Sequence, residues 1–143
     1  MDEKGYIKFN CQWNKTGPLP RSLVADLNKW RDRLRRLGLV GAYENGIGYG
    51  NLSKRTGKSG QFIITGSNTG HLEVLDGNGY TRVLDHDFSH NQLTCAGPIK
   101  ASSESLTHAA IYTAVPWVNG VIHIHSPAMW ERLIDVLPTT SRG

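Results

Sequence analysis

Two histidines in the last quarter of the sequence are spaced so that they could bind a metal ion. His123 and His125 alternate with Ile122 and Ile124 after Gly120, a pattern that is typical of a strand. Successive side chains of a strand point to opposite faces, so both imidazoles would lie on one face, about 6 to 7 Å apart at the backbone. Neutral imidazole nitrogen is a common zinc ligand. The pair would supply half of a zinc site.

A candidate proton carrier precedes the histidines. Ser102, Ser103 and Glu104 open a run without helix breakers that reaches Tyr112, and serines before such a run are typical of a helix N-terminus. Free backbone N–H groups at that end and two hydroxyls predict a seat for a phosphate or a carboxylate. Glu104 would lie in the first helical turn. It is either an acid that simply favours this position or a general base beside a metal.

The order and spacing of these residues resemble those of a known family. The resemblance rests on the motif 102–104, on His108 and Tyr112, and on the segment 121–126. Together they are similar to the class II aldolase/adducin family, in which 19 residues also separate the glutamate from the first strand histidine, as they do here. The resemblance implies that His123 and His125 bind zinc and that Glu104 is the catalytic base. Members include fuculose- and rhamnulose-phosphate aldolases, ribulose-phosphate epimerases and methylthioribulose-phosphate dehydratases.

The same resemblance implies a set of residues that bind the substrate phosphate. The stretch 50–53 is similar to a glycine-asparagine strand of the family, although Asn51 taken alone is better explained as a turn residue. The loop 65–70 could form an anion-binding nest and resembles the family's threonine-glycine phosphate loop. We assign that role to Thr69 and Gly70, with Thr65 and Gly66 as the alternative. Ser102 and Ser103 complete the predicted set.

The function implied by the resemblance is that of a metal-dependent lyase of the class II aldolase type, acting on a phosphorylated ketose. Zinc would stabilise an enediolate, and Glu104 would move the proton. A glutamate at this position fits aldolases and dehydratases better than epimerases, which tend to carry aspartate. Another divalent transition metal would also suit two histidines. The alternatives are a sugar-phosphate epimerase or dehydratase and a non-catalytic interaction domain like the adducin head.

The most regular hydrophobic pattern lies upstream, between Pro20 and Leu37. Apolar residues recur there at three- and four-residue intervals, and Gly38 stands where a C-cap is expected. The pattern predicts an amphipathic helix whose inward residues are Leu23, Leu27, Trp30, Leu34 and Leu37. The opposite face is charged, and we interpret its arginines as solvated, Arg31 among them.

Strands are predicted around 47–55, 61–65, 80–85 and 118–125, with a hairpin turn marked by Gly57 and Gly60. A short helix is predicted over 128–137. With helices at both ends, the pattern indicates a layered α/β domain. The resemblance sharpens this to a three-layer α/β/α fold with a central, largely antiparallel β-sheet flanked by helices. It also implies that His108 is a structural neighbour of the site.

Composition indicates one globular domain over 1–143. The 143 residues are 38% hydrophobic, and 16 basic against 12 acidic residues give a net charge of +4. These charges are dispersed, so nucleic acid is not expected as a partner. Neither an apolar leader nor a membrane-length apolar stretch is found, which predicts a cytoplasmic protein. Cys11 and Cys95 are too few and too far apart in sequence for a disulfide framework, and we interpret both as ordinary thiols.

The metal site is expected to be incomplete in this sequence. A catalytic zinc normally takes three protein ligands, and His125 is the last histidine of the chain. We expect that the sequence is a fragment lacking the C-terminal part of the family domain, where the resemblance places the third histidine. The alternatives are a third ligand from an upstream histidine or another subunit, or a site that stays unfilled. The family's active sites lie between subunits of a ring tetramer. An exposed apolar surface and an open sheet edge would favour self-association.

Overall fold

The computed structural model describes residues 9–57 and 59–138, so the ends of the predicted 1–143 domain lie outside the described residues. Eight strands are present in this part of the chain: β1 Asn10–Lys15, β2 Gly41–Ala42, β3 Gly48–Tyr49, β4 Asn51–Arg55, β5 Phe62–Thr65, β6 Tyr80–Asp87, β7 Gln92–Gly97 and β8 Gly120–His123. The α-helices are α1 Arg21–Arg36, α2 Ser105–Ala114 and α3 Pro127–Leu133. A short 3-10 turn, Gly77–Gly79, precedes β6.

A six-stranded sheet in the order β1-β7-β6-β5-β4-β8 forms the centre of the described chain. Its neighbouring strands are antiparallel except for the parallel pair β1 and β7. Each face carries a hydrophobic cluster: Ile63 of β5 packs with Val24 and Leu27 of α1, whereas Phe62 and Ile64 pack with residues of α2. The predicted three-layer α/β/α fold with a largely antiparallel sheet is therefore confirmed.

Helix α1 ends where the sequence predicts. Gly38 has a φ of 71°, its N–H donates to the Arg35 carbonyl, and the Leu39 N–H donates to the Leu34 carbonyl. These two bonds define a Schellman cap, whose left-handed residue is usually glycine. The cap turns the chain toward β2 and places the Leu39 carbonyl beside the segment that follows β8.

The predicted inward face of α1 is partly wrong. Leu27 is buried, but Trp30 and Leu37 are largely exposed, and Arg31 is 1% exposed although we predicted it in solvent. The Arg31 guanidinium donates to backbone carbonyls of the loop before β6. These acceptors replace water, which allows a charged residue to occupy the inner face of a helix.

The predicted strand 47–55 is divided into β3 and β4 at Gly50, where φ is +77°. A Cβ at Gly50 would lie 3.0 Å from the Leu39 oxygen and 3.1 Å from the His123 oxygen, so a side chain has no room here. The strand predicted over 118–125 is shorter than expected because His125 lies beyond β8 and donates its N–H to Leu39. Helix α3 likewise spans 127–133 instead of 128–137.

Helix α2 begins later than we predicted. Ser105 is its first residue, so Glu104 stands at the N-cap instead of in the first turn. The Glu104 carbonyl accepts the N–H groups of Thr107 and His108, as a residue at the start of a helix does. None of the helices in the described part of the chain has the length and apolar character needed to cross a membrane.

Candidate functional site

A polar cleft of about 400 Å³ lies where β3, the start of β4, the end of β8 and the start of α2 meet. Backbone from Asn45 to Gly50 and the loop Gly66–Gly70 form much of its wall. All eight residues that we predicted for the site line this one cleft: Asn51, Thr69, Gly70, Ser102, Ser103, Glu104, His123 and His125. Their roles remain predictions, but residues up to 74 positions apart in sequence are brought together here.

His123 is the last residue of β8 and His125 lies just beyond it, with their ring centroids 4.9 Å apart. His123 is paired with Asn51 across β4 and β8. His125 is oriented by aromatic neighbours: the Tyr43 hydroxyl lies 2.8 Å from Nδ1, and the Tyr49 ring stacks at 5.4 Å. With Nδ1 occupied, Nε2 is the nitrogen of His125 available to a ligand. Sequence reasoning missed both tyrosines, because neither belongs to a local motif.

The environment of His125 favours its unprotonated form. Burial lowers its pKa, the charge of His123 lowers it further, and the carboxylate of Glu104 opposes both effects. An unprotonated imidazole keeps the lone pair that metal coordination requires. If Nε2 is to bind a metal, Nδ1 must carry the proton and donate it to the Tyr43 oxygen.

Ser102 joins the strand side of the cleft to the helix side. Its Oγ accepts hydrogen bonds from the Asn51 amide at 3.2 Å and from the Glu104 N–H at 3.3 Å. A serine hydroxyl has two lone pairs and one proton. Since both lone pairs are occupied, the proton of Ser102 remains free to donate to a ligand in the cleft. The half-buried Glu104 side chain makes no capping bond to a described residue.

A buried chain of hydrogen bonds lies beneath the cleft and fixes Asn51. His108 Nε2 lies 2.5 Å from Asn51 Oδ1, and His108 Nδ1 lies 2.7 Å from Ser53 Oγ, which also contacts the Tyr112 hydroxyl. Burial, reinforced by the charge of His123, lowers the pKa of His108 to about 4. His108 is therefore neutral near pH 7, donating through Nε2 and accepting through Nδ1. This geometry agrees with the expectation that it supports the site from behind.

The loop Gly66–Gly70 is held by contacts on three sides. The Thr69 hydroxyl donates to the Gly66 carbonyl at 2.9 Å, and Arg31 donates to the Thr69, Leu72 and Glu73 carbonyls at 3.0, 2.7 and 3.4 Å. A Cβ on Gly70 would lie 1.9 Å from the Gly41 oxygen. Thr65, our alternative to Thr69, accepts the Leu52 N–H and is not part of the cleft lining. Its neighbour Gly66 does line the cleft.

The donor set suits a divalent transition metal in part. Two imidazoles and a carboxylate share the cleft, and these are ligands that zinc accepts. Among residues 9–57 and 59–138, however, no three His, Cys, Asp or Glu side chains are grouped closely enough to hold an ion. The upstream histidines His71, His86 and His90 are thus not placed to complete the site, and a third ligand would come from outside the described residues.

The sheet, its flanking helices and the cleft define the chain as a layered α/β domain with a polar cleft lined by histidine and glutamate. The profile of the Class II Aldolase and Adducin N-terminal domain matches residues 33–130, so the chain belongs to this family. Among solved structures it is similar to an L-fuculose 1-phosphate aldolase, with a TM-score of 0.55 and 22% identity over 77% of this chain and 47% of that one. That likeness concerns the fold, and the chain spans about half of the matched structure's length. No curated protein matches the sequence significantly.

Proposed function

We propose that this domain belongs to a zinc-dependent lyase of the class II aldolase type, which acts on a phosphorylated ketose. The observation that carries the proposal is the single cleft containing Glu104, His123 and His125 together with hydroxyl and amide groups suited to an anion. A metal bound by the histidines would supply Lewis-acid stabilisation of charge that develops on the substrate. Membership of the family supports the same reaction class.

Glu104 is the proton carrier in this proposal. Cleavage of an aldol bond requires a base to remove the proton of the hydroxyl beside the breaking bond, and an acid to return a proton to the carbon that is left. Glu104 lies in the cleft, half-buried, with its side chain uncommitted to capping α2. It is close enough to His125 to influence that residue's pKa. One carboxylate can therefore act at both stages.

The phosphate group would occupy the side of the cleft formed by Ser102, Ser103, Asn51 and the loop ending at Thr69 and Gly70. The free proton of the Ser102 hydroxyl and the N-terminus of α2 both favour an anion. Asn51 donates one amide N–H to Ser102 and has a second N–H that can donate to the phosphate. The buried bonds to His108 hold the amide in place before substrate arrives.

The complete active site would form in a homo-oligomer, a tetramer as in the family, with the third metal ligand supplied by residues other than those described. We place the enzyme in the cytoplasm, where phosphorylated sugars are retained by their charge. Epimerisation and dehydration start with similar proton transfers, so these reactions are alternatives for the same cleft.

Metal titration of the complete enzyme, in which the proposed third ligand is present, tests the proposal. We expect about one zinc ion per chain, lost when His123 and His125 are both replaced by alanine and retained in the exposed control His90→Ala. The Glu104→Gln variant should keep the metal ion. It should cleave ketose 1-phosphates about 10²- to 10⁴-fold more slowly than the unsubstituted enzyme, and L-fuculose 1-phosphate is the first substrate to assay.

Two results would contradict this function. Turnover that survives Glu104→Gln would remove Glu104 from the mechanism. Metal binding that survives the double histidine replacement would place the ion elsewhere. A chain that binds neither zinc nor a sugar phosphate would instead favour the non-catalytic, adducin-like interaction domain.

A further inference from the structure

The two cysteines are neighbours in the fold although 84 residues separate them in sequence. Cys11 lies on the edge strand β1 and Cys95 on the adjacent β7, with their Sγ atoms 3.4 Å apart. In the parallel register Cys11 is opposite Leu93 and Cys95 is opposite Trp13, so both thiols face the same side of the sheet. This adjacency was not predicted, because nothing local in the sequence pairs β1 with β7.

The sulfur of Cys95 lies in surroundings that stabilise a thiolate. Its hydrogen bond with the Cys11 thiol is the main reason that the pKa of Cys95 is lowered. The Ala101 N–H, the Thr81 hydroxyl and the charge of Lys100 act in the same direction, against burial. Thr81 Oγ1 is buried and has no other hydrogen-bond partner among the described residues. The pKa of Cys11 is raised in return, chiefly because its proton is shared with Cys95.

The two thiols differ in access. Cys95 is fully buried, whereas Cys11 is partly exposed on a strand at the edge of the sheet. A small reagent would therefore meet Cys11 first, with Cys95 waiting directly behind it. An exposed thiol beside a second thiol that resolves the first product is the usual arrangement of a redox-sensitive pair. Since β1 pairs only with β7 within the described sheet, it can shift to close the remaining gap between the sulfurs.

We propose that Cys11 and Cys95 form a reversible thiol–disulfide site that links β1 to β7, with a low-molecular-weight disulfide as the oxidant. This site goes beyond the proposed function and does not depend on it. The Cys95 thiolate takes the proton of Cys11 as the Cys11 sulfur attacks the oxidant, forms a mixed disulfide and releases one thiolate. The Cys95 thiol gives this proton to the released thiolate, attacks Cys11 Sγ, forms the internal bond and releases the second thiolate. Two electrons pass to the oxidant, and the second thiolate takes its proton from water.

Oxidised glutathione, added to the reduced and folded chain, tests the site without any assay of activity. Intact mass should fall by two hydrogens with no adduct retained, and a peptide map should show Cys11 joined to Cys95. Dithiothreitol should restore two free thiols. Because the fold holds the sulfurs together, the bond should form at least about tenfold faster in the folded chain than in urea.

Matched variants make the result specific. Cys11→Ala and Cys95→Ala should each fail to form the internal disulfide. If the buried Cys95→Ala variant does not fold, Cys11→Ala on the edge strand provides the test alone. The proposal is overturned if the folded chain keeps both thiols, accumulates only glutathione adducts or dimers, or closes no faster than the unfolded chain.

Discussion

At the scale of the residue, the cleft depends on a histidine that does not line it. His108 is 1% exposed. It belongs to a chain of hydrogen bonds that runs from Tyr112 through Ser53 and His108 to Asn51 and Ser102. Each donor in this chain meets one acceptor, provided that His108 is neutral. A proton added to His108 would turn Nδ1 into a donor facing Ser53, and the order of the hydrogen bonds would have to change.

The buried imidazole makes stability depend on pH. An unfolded histidine takes up its proton near pH 6.5, but His108 in the folded chain does so only near pH 4. Between these values the unfolded state binds more protons, so stability falls as the pH falls. We expect the unfolding free energy contributed by this group to drop by about 3 kcal/mol from pH 7 to pH 4.

The unfolding free energies of the unsubstituted chain and of His108→Gln, measured in urea at several pH values, test this dependence. All other titrating groups are the same in the two proteins, so the difference isolates His108. The stability advantage of the unsubstituted chain should shrink as the pH is lowered. A His108→Gln difference that stays constant over this pH range would mean that His108 is not buried in its neutral form.

Part of the site could be predicted from the sequence because its residues lie in local patterns. The H-x-H spacing, and the glutamate at the start of a helix, are visible within short windows, and both reach the cleft. Tyr43 and Arg31 could not be found in this way. Their partners lie 82 and 38 to 42 residues away, and an arginine on a charged helix looks solvated until the loop that covers it is known.

At the scale of the element, α1 positions the cleft loop through Arg31. Its guanidinium serves three carbonyls between Thr69 and Glu73, and no other contact described for that loop satisfies as many acceptors at once. Burial lowers the pKa of Arg31, which reflects the cost of removing a charge from water. The bonds to the loop offset this cost.

Replacing Arg31 with methionine should destabilise the chain by about 3 kcal/mol, because the relief of a buried charge is smaller than the loss of donors to three carbonyls. Arg31→Lys should lose less, since a point charge can serve one or two of the acceptors. Amide hydrogen exchange across 69–73 should speed up in both variants. The exposed control Arg36→Met should change neither stability nor exchange. If Arg36→Met destabilised the chain as much as Arg31→Met, the role given to Arg31 would be contradicted.

The elements that were predicted well are those with a strong pattern of their own. Helix α1 carries clear apolar periodicity and Gly38 marks its C-cap, whereas β5 is a short continuous apolar run beside turn residues. Strands β1 and β7 were missed although burial alternates along both, because each has few apolar residues, Cys11 and Trp13 in β1, and no tight turn connects a parallel pair. The division at Gly50 depends on the approach of Leu39 and His123, which is a contact between distant segments.

At the scale of the whole molecule, one surface remains apolar. In the described part of the chain, α3 buries none of its residues, and a groove beside His123 and His125 is lined by Met129, Trp130, Leu133, Ile134 and Leu137. Trp130 is 64% exposed. A continuous apolar surface next to a polar cleft favours contact between subunits.

Light scattering should therefore find the chain associated at micromolar concentration. Trp130→Glu should weaken association at least about tenfold, as removal of a central aromatic from an interface does. Val74→Glu makes the same kind of change at a separate exposed position and should leave the association unchanged. A monomer at all concentrations would count against an oligomer of this chain, as would an equal response to both substitutions.

The hydrogen bond between His125 and the Leu39 carbonyl has a consequence for the order of folding. Like the contact between Tyr43 and His125, it closes most of the chain into one loop. The chain loses conformational entropy when this loop closes, before the contact can stabilise the fold. Helix α1 and the β4–β5 hairpin can form from neighbouring residues, but His125 reaches the Leu39 carbonyl and the Tyr43 hydroxyl, 82 residues away in sequence, only after distant segments have docked. We expect the capacity to bind zinc to appear as the last step of refolding, after the helical circular dichroism has recovered.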